Sequence, residues 1–136
     1  MIGSSDSSPT VLVAESHEDT RALLKFWLEM KGCRVMQAVN GSEAVSLTLR
    51  HSPDLVLMGL QLPLLDGLSA IRLIREHNKE NSVPIVALST YPTAAMRESA
   101  LAAGCTWFVA EPIDFDGLDE LLKRLPPQTL TSCALP

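Results

Sequence analysis

Three hydroxyls and two histidines are the residues of this chain that could attempt covalent chemistry: Ser16, Ser89 and Thr90 as nucleophiles, His17 and His77 as bases. Acyl transfer needs such groups in mutual reach, and neither a G-x-S-x-G elbow nor an ordered triad accompanies them. No hydrolase is expected. The second chemical pair is acidic. Glu15 follows the apolar run 11–14, and Glu111 follows the apolar run 107–110. If folding brings them together, like-charge repulsion favours the protonated form of one; if not, they are solvated charges at a loop rim. Gly59 ends a third run, 55–58, and contributes no side chain, so it is neither a nucleophile nor a metal ligand. A glycine there also suits a tight turn from strand to loop.

The elements that must position these residues are short and regular. Apolar runs at 11–14, 34–38, 55–58, 85–88 and 107–110 are rich in Val, Ile and Leu, as expected for strands of a parallel sheet covered on both faces. Segments of helical period separate them. Asn40-Gly-Ser-Glu43 has the form of a capping box ahead of a helix over 44–50, and Asp114 can cap a last helix over 115–125 before Pro126 and Pro127. Gly32 and Gly104 stand where the first and fourth helices should close. Five successive βα units predict right-handed crossovers and a doubly wound five-stranded parallel sheet, order 2-1-3-4-5. Its crevice lies at the carboxyl ends of strands 1 and 3.

Composition narrows the function further. The 136 residues suit one domain, expected over 10–125, with a polar leader at 1–9 and a Pro/Thr/Ser tail at 126–136. A net charge of -5 without a Lys/Arg cluster argues against nucleic-acid binding. No apolar run approaches the roughly 20 residues of a membrane span, and no export signal opens the chain. Cys33, Cys105 and Cys133 are scattered without a C-x-x-C pair, which predicts buried or incidental thiols in a reducing, cytoplasmic setting.

The stretch from Asp54 through Gly59 to Pro63, continuing into Leu64-Leu-Asp66-Gly67, resembles the third strand and following loop of the receiver (CheY-like) domains of response regulators. The similarity extends over nearly all of 10–125 and implies a flavodoxin-like fold and a role in two-component or phosphorelay signalling. It also implies a pocket with changed chemistry. Where the family has an acidic pair for magnesium, this chain has Glu15 and Ser16. Gly59 takes the place of the phosphoacceptor aspartate, Ser89 matches the hydroxyl that bonds the phosphoryl group, and Glu111 replaces the neutralising lysine. Magnesium wants a near-octahedral set of oxygens, and phosphoryl transfer wants its equatorial charge neutralised. The expectation is a degenerate receiver, or pseudo-receiver: no enzyme, no metal, no cofactor, acting by protein–protein contact without phosphorylation.

Two alternatives stand beside that expectation. One is phosphorylation at a different residue, Ser16 or Ser89. The other is a flavodoxin-like cofactor carrier, which the acidic loop Glu15-Ser-His-Glu18-Asp19-Thr20 disfavours because it would repel a cofactor phosphate. The matched switch pair, Ser89 and Phe108, is expected to rest in one arrangement. The partner is expected to be a signalling protein, a histidine kinase or an output protein, with a homodimer as the other option. On the first helix, Leu23, Leu24, Trp27 and Leu28 form the expected core stripe, and Phe26 and Met30 widen the apolar arc to about 200°, well beyond what a surface helix needs. Phe26, Met30 and Trp107 are therefore the candidate partner contacts. The resemblance also implies a cis Glu111-Pro112 bond, since the matching Lys-Pro bond of receivers is frequently cis and X-Pro is where that form is cheap.

Overall fold

The computed structural model describes residues 8–77 and 83–124, and most of the expected leader and tail lie outside them. Five strands and five helices alternate: β1 (Thr10–Ala14), α1 (Glu18–Met30), β2 (Arg34–Ala38), α2 (Gly41–His51), β3 (Leu55–Gly59), α3 (Gly67–His77), β4 (Ile85–Ser89), α4 (Ala94–Ala103), β5 (Trp107–Ala110) and α5 (Phe115–Leu122). All pairings are parallel, in the order β2-β1-β3-β4-β5. The doubly wound topology is as expected.

Successive strand residues point to opposite faces, and this alternation sorts the core into two layers. Leu12, Ala14, Val56, Met58, Ile85 and Ala87 face α2, α3 and α4, where Ala44, Ala70, Ile71, Ile74 and Ala100 meet them. Val11, Val13, Leu55, Leu57, Val86 and Leu88 face α1 and α5, packing on Leu24, Leu28, Leu118 and Leu122. β3 and β4 are buried throughout, which is why their sequences are continuous apolar runs; the edge strands β2 and β5 are partly open.

Local chemistry sets the helix ends. Asn40 Oδ1 accepts from the Glu43 N–H at 2.8 Å, and Glu43 Oε1 accepts from the Val39 N–H at 2.9 Å, so the box closes one residue earlier than its usual form. Thr93 and Asp114 cap α4 and α5 through the N–H groups of Met96 and Asp116. Gly32 (φ 91°) and Gly104 (φ 118°) close α1 and α4 in the left-handed region, where a Cβ is strained. Glu111-Pro112 is cis.

Two expectations need correction. Leu23, placed in the core stripe of α1, is 53% exposed, because α5 covers the neighbouring side of the helix: Trp27 meets Phe115 with ring centroids 5.2 Å apart. Cys33, expected as a buried or incidental thiol, is buried but disulfide-bonded, whereas Cys105 is a buried free thiol as expected; Cys133 lies outside the described residues. No helix among the described residues is long and apolar enough to cross a membrane.

Candidate functional site

Parallel strands end on one edge of the sheet, so the topology alone gathers Glu15 after β1, Gly59 at the end of β3, Ser89 at the end of β4 and Glu111 after β5. Glu15 continues the line of β1, donating its N–H to the Ala38 carbonyl at 3.0 Å. The residue is buried at 5% exposure, and its Oε2 accepts from the His17 N–H at 3.0 Å, with His17 Nδ1 at 3.6 Å. Arg21 Nη1 donates to the Glu15 carbonyl at 2.9 Å and leaves the carboxylate alone.

The Glu15 carboxylate lies over Gly59. A Cβ built on residue 59 would stand 3.3 Å from Glu15 Oε1 and 3.1 Å from the Ala14 carbonyl oxygen. A side chain at residue 59 would thus be crowded from β1, and its neighbours there would have to give by a few tenths of an ångström. Behind it, α3 packs so closely on the loop that a Cβ on Gly67 would overlap the Gly59 carbonyl oxygen.

Gln61, unremarked in the sequence, ties the edge together. Its Nε2 donates to Ser89 Oγ at 3.4 Å, and its Oε1 accepts from the Thr90 N–H and hydroxyl, both at 3.3 Å. Its own carbonyl accepts from Ser16 Oγ at 3.5 Å. Ser89 is fully buried, and its Oγ also accepts from the Tyr91 N–H at 3.0 Å. The loop after β3 is therefore latched to the loop after β4. Nothing about a lone glutamine two residues past a strand announces this; the nearest signal was its place beside two candidate hydroxyls on the neighbouring strand.

Glu111 is half-buried and its N–H donates to the Ser89 carbonyl at 2.8 Å. Burial pushes its carboxyl above the usual carboxylate range, like-charge repulsion from Glu15 adds to the rise, and His17 works against it. Of the two carboxylates raised by the sequence, Glu111 thus feels the charge of Glu15. Next to them, His17, Thr20, Leu23, Thr90, Glu111, Pro112, Ile113 and Phe115 enclose a concave pocket of about 500 Å³.

The remaining candidates separate. His77 bonds the Leu73 carbonyl through Nδ1 at the far end of α3, on the opposite edge from Ser89, and among the described residues no hydrogen bond joins either histidine to Ser16, Ser89 or Thr90. Phe108 packs against the α4 side of the core under the Arg97 guanidinium, 5.0 Å from the ring centroid. Phe26 and Met30 are 62% and 71% exposed. Trp107 is half-buried against the α1–α5 layer, its ring N–H without a partner among the described residues.

For a magnesium ion the crevice supplies the carboxylates of Glu15 and, after β5, Glu111, the hydroxyls of Ser16 and Ser89 and, at Gly59, nothing. No group of three or more His, Cys, Asp or Glu among the described residues could hold a metal, and this donor set does not fit one.

A doubly wound sheet with its polar residues collected at the carboxyl edge of β1 and β3 defines the class: an open α/β domain with a switch-point crevice. The chain belongs to the response regulator receiver domain family, whose pattern it matches over residues 11–123. It is 36% identical over 104 residues to an uncharacterized 14.6 kDa protein of Leptolyngbya boryana, covering 76% of this chain and 79% of that one. To the polar-differentiation response regulator DivK of Brucella anthropi it is 27% identical, covering 84% and 93%. Among solved structures, the receiver domain of the sensor histidine kinase PA1611 from Pseudomonas aeruginosa, with magnesium in its active-site cleft, is similar at 32% identity and a TM-score of 0.79, covering 86% and 96%. The receiver domain of Saccharomyces cerevisiae Ssk1, solved with the histidine phosphotransfer protein Ypd1, gives 28% and 0.81, covering 90% and 92%. The protein is a receiver domain of two-component signalling.

Proposed function

We propose that this receiver is a pseudo-receiver, which signals by protein contact in one fixed arrangement, without being phosphorylated and without catalysing a reaction. The observation that carries the reading is the self-filled crevice: Glu15 lies over a residue with no side chain, while Gln61 occupies the Ser89 hydroxyl and the Thr90 N–H. An incoming phosphoryl group would meet no nucleophile at residue 59 and two carboxylates, Glu15 and Glu111, in place of a neutralising cation. Its partner is a signalling protein.

Incubation of the whole chain with acetyl phosphate and magnesium, followed by intact mass measurement, tests this. An unchanged mass is expected. Addition of one phosphate would refute the reading, and its acid stability and peptide position would tell Ser16 or Ser89 from any other site.

A further inference from the structure

The pocket beside the crevice brings together three features, of which the crevice reading uses only the Glu111 carboxylate. Its walls are largely apolar: Leu23 from α1, Pro112 and Ile113 from the loop after β5, and Phe115 at the start of α5, the last held in place by Trp27. One carboxylate, Glu111, stands in that wall, and among the described residues it has no hydrogen-bond or ion-pair partner. A half-buried carboxylate without a partner costs free energy that a cation of matching geometry would return. The third feature is outside the pocket. Leu23 at its rim begins an exposed apolar stripe, Leu23, Phe26 and Met30, whose i, i+3, i+7 spacing places the three on one side of α1.

We propose that this pocket receives an arginine side chain from the protein partner, its guanidinium on Glu111 and its stem against Leu23, Ile113 and Phe115, while the partner's surface lies along the α1 stripe. Arginine fits better than lysine because its planar fork meets a carboxylate with two parallel N–H donors and stacks on aromatic rings such as Phe115. The apolar stripe continuous with the rim favours a macromolecule over a free small cation, which would leave Phe26 and Met30 uncovered. The proposal rests on the contact-signalling reading and names the chemistry of that contact.

The test uses the whole ¹⁵N-labelled chain titrated with a capped Gly-Arg-Gly peptide and, separately, its citrulline counterpart, which keeps the shape and loses the charge. The arginine peptide should shift the amides of His17, Thr20, Leu23, Thr90 and Ile113 at millimolar concentrations, and the citrulline peptide should bind roughly tenfold or more weakly, the range of a charge-assisted hydrogen bond. Glu111→Gln should weaken the arginine peptide to the citrulline level. Leu23→Ala, which removes only an exposed wall, should weaken both peptides, and it guards against misfolding beside the cis bond. Equal shifts by the two peptides, binding retained in Glu111→Gln, or no localised shifts at all would overturn the proposal. None of those outcomes changes the mass after acetyl phosphate, so failure here is distinguishable from failure of the pseudo-receiver reading.

Discussion

Placing a carboxylate back at the end of β3, by Gly59→Asp, should destabilise the protein at neutral pH and do so through Glu15. Residue 59 would carry its Cβ 3.3 Å from Glu15 Oε1, inside an edge where Glu15 is only 5% exposed. One further bond reaches the new carboxyl carbon, leaving the two charges about 4 Å apart; at an effective dielectric near 20 their repulsion is about 4 kcal/mol. Taking up a proton relieves it, and holding one carboxyl protonated about three pH units above its ordinary value sets a ceiling of similar size. The expected loss near pH 7.5 is therefore about 2–4 kcal/mol. A carboxyl whose folded pKa is raised gives a stability contribution that is intact below the unfolded value and fades as pH rises through the folded one. Near pH 4.5 most of the penalty should be absent. Urea unfolding of the wild type, Gly59→Asp and Gly59→Asp/Glu15→Gln at both pH values measures this. Gly59→Ala serves as the control for crowding alone and should stay within about 1 kcal/mol of wild type. A loss that is the same at both pH values, or that Glu15→Gln leaves untouched, would show that Glu15 does not occupy the space above residue 59. Even when folded, Gly59→Asp should stay unmodified by acetyl phosphate, because Glu111 still opposes the anion.

Gln61→Ala should cost about 0.5–1.5 kcal/mol and speed amide hydrogen exchange at Thr90 and Tyr91, since it unlatches the loops after β3 and β4; unchanged exchange would mean that the latch is decorative. Glu111 should titrate above the ordinary carboxylate range by carbon-detected NMR, and since the protonated form is the one favoured in the fold, stability should fall as pH rises through that value. Glu111→Gln should flatten that slope, and Glu15→Gln should lower the Glu111 midpoint by removing the neighbouring charge. Asn40→Ala should cost about 1 kcal/mol in thermal or urea unfolding through loss of the α2 cap, leaving the crevice as it is.

The strands were legible because a parallel sheet covered on both faces needs uninterrupted Val, Ile and Leu, and β3 and β4 have little else. Boundaries moved by one residue, to Thr10, Gly59 and Ser89, where polar or side-chain-free positions still pair with the ladder. α1 resisted because apolar residues surround most of it, and periodicity cannot tell which arc a neighbour will cover. Trp27 won the contact with α5, and Leu23 was left outside. Strand order alone could not decide whether Glu15 and Glu111 sense each other, as β3 and β4 stand between β1 and β5. The intervening positions, Gly59 and Ser89, are small and put no charge between them. Gln61 was invisible because its bonds depend on three loops converging.

A receiver can act as a switch only if some ligand binds one of its arrangements better than another. By its match to the receiver switch hydroxyl, Ser89 is the residue expected to move, and here its hydroxyl is buried and bonded by both Gln61 and the Tyr91 N–H. Moving it would leave those two donors to find other acceptors, at roughly 1–3 kcal/mol for each left unsatisfied. An anion at the crevice could supply them, but Glu15 and Glu111 raise the cost of bringing it there. A cation at Glu111 meets His17 in the same wall but relieves a carboxylate that burial and Glu15 already strain, and it does so without touching Ser89. On the proposed reading, the crevice exchanges responsiveness to phosphate for affinity toward a positively charged surface, and the arrangement of Ser89 is set before any partner arrives.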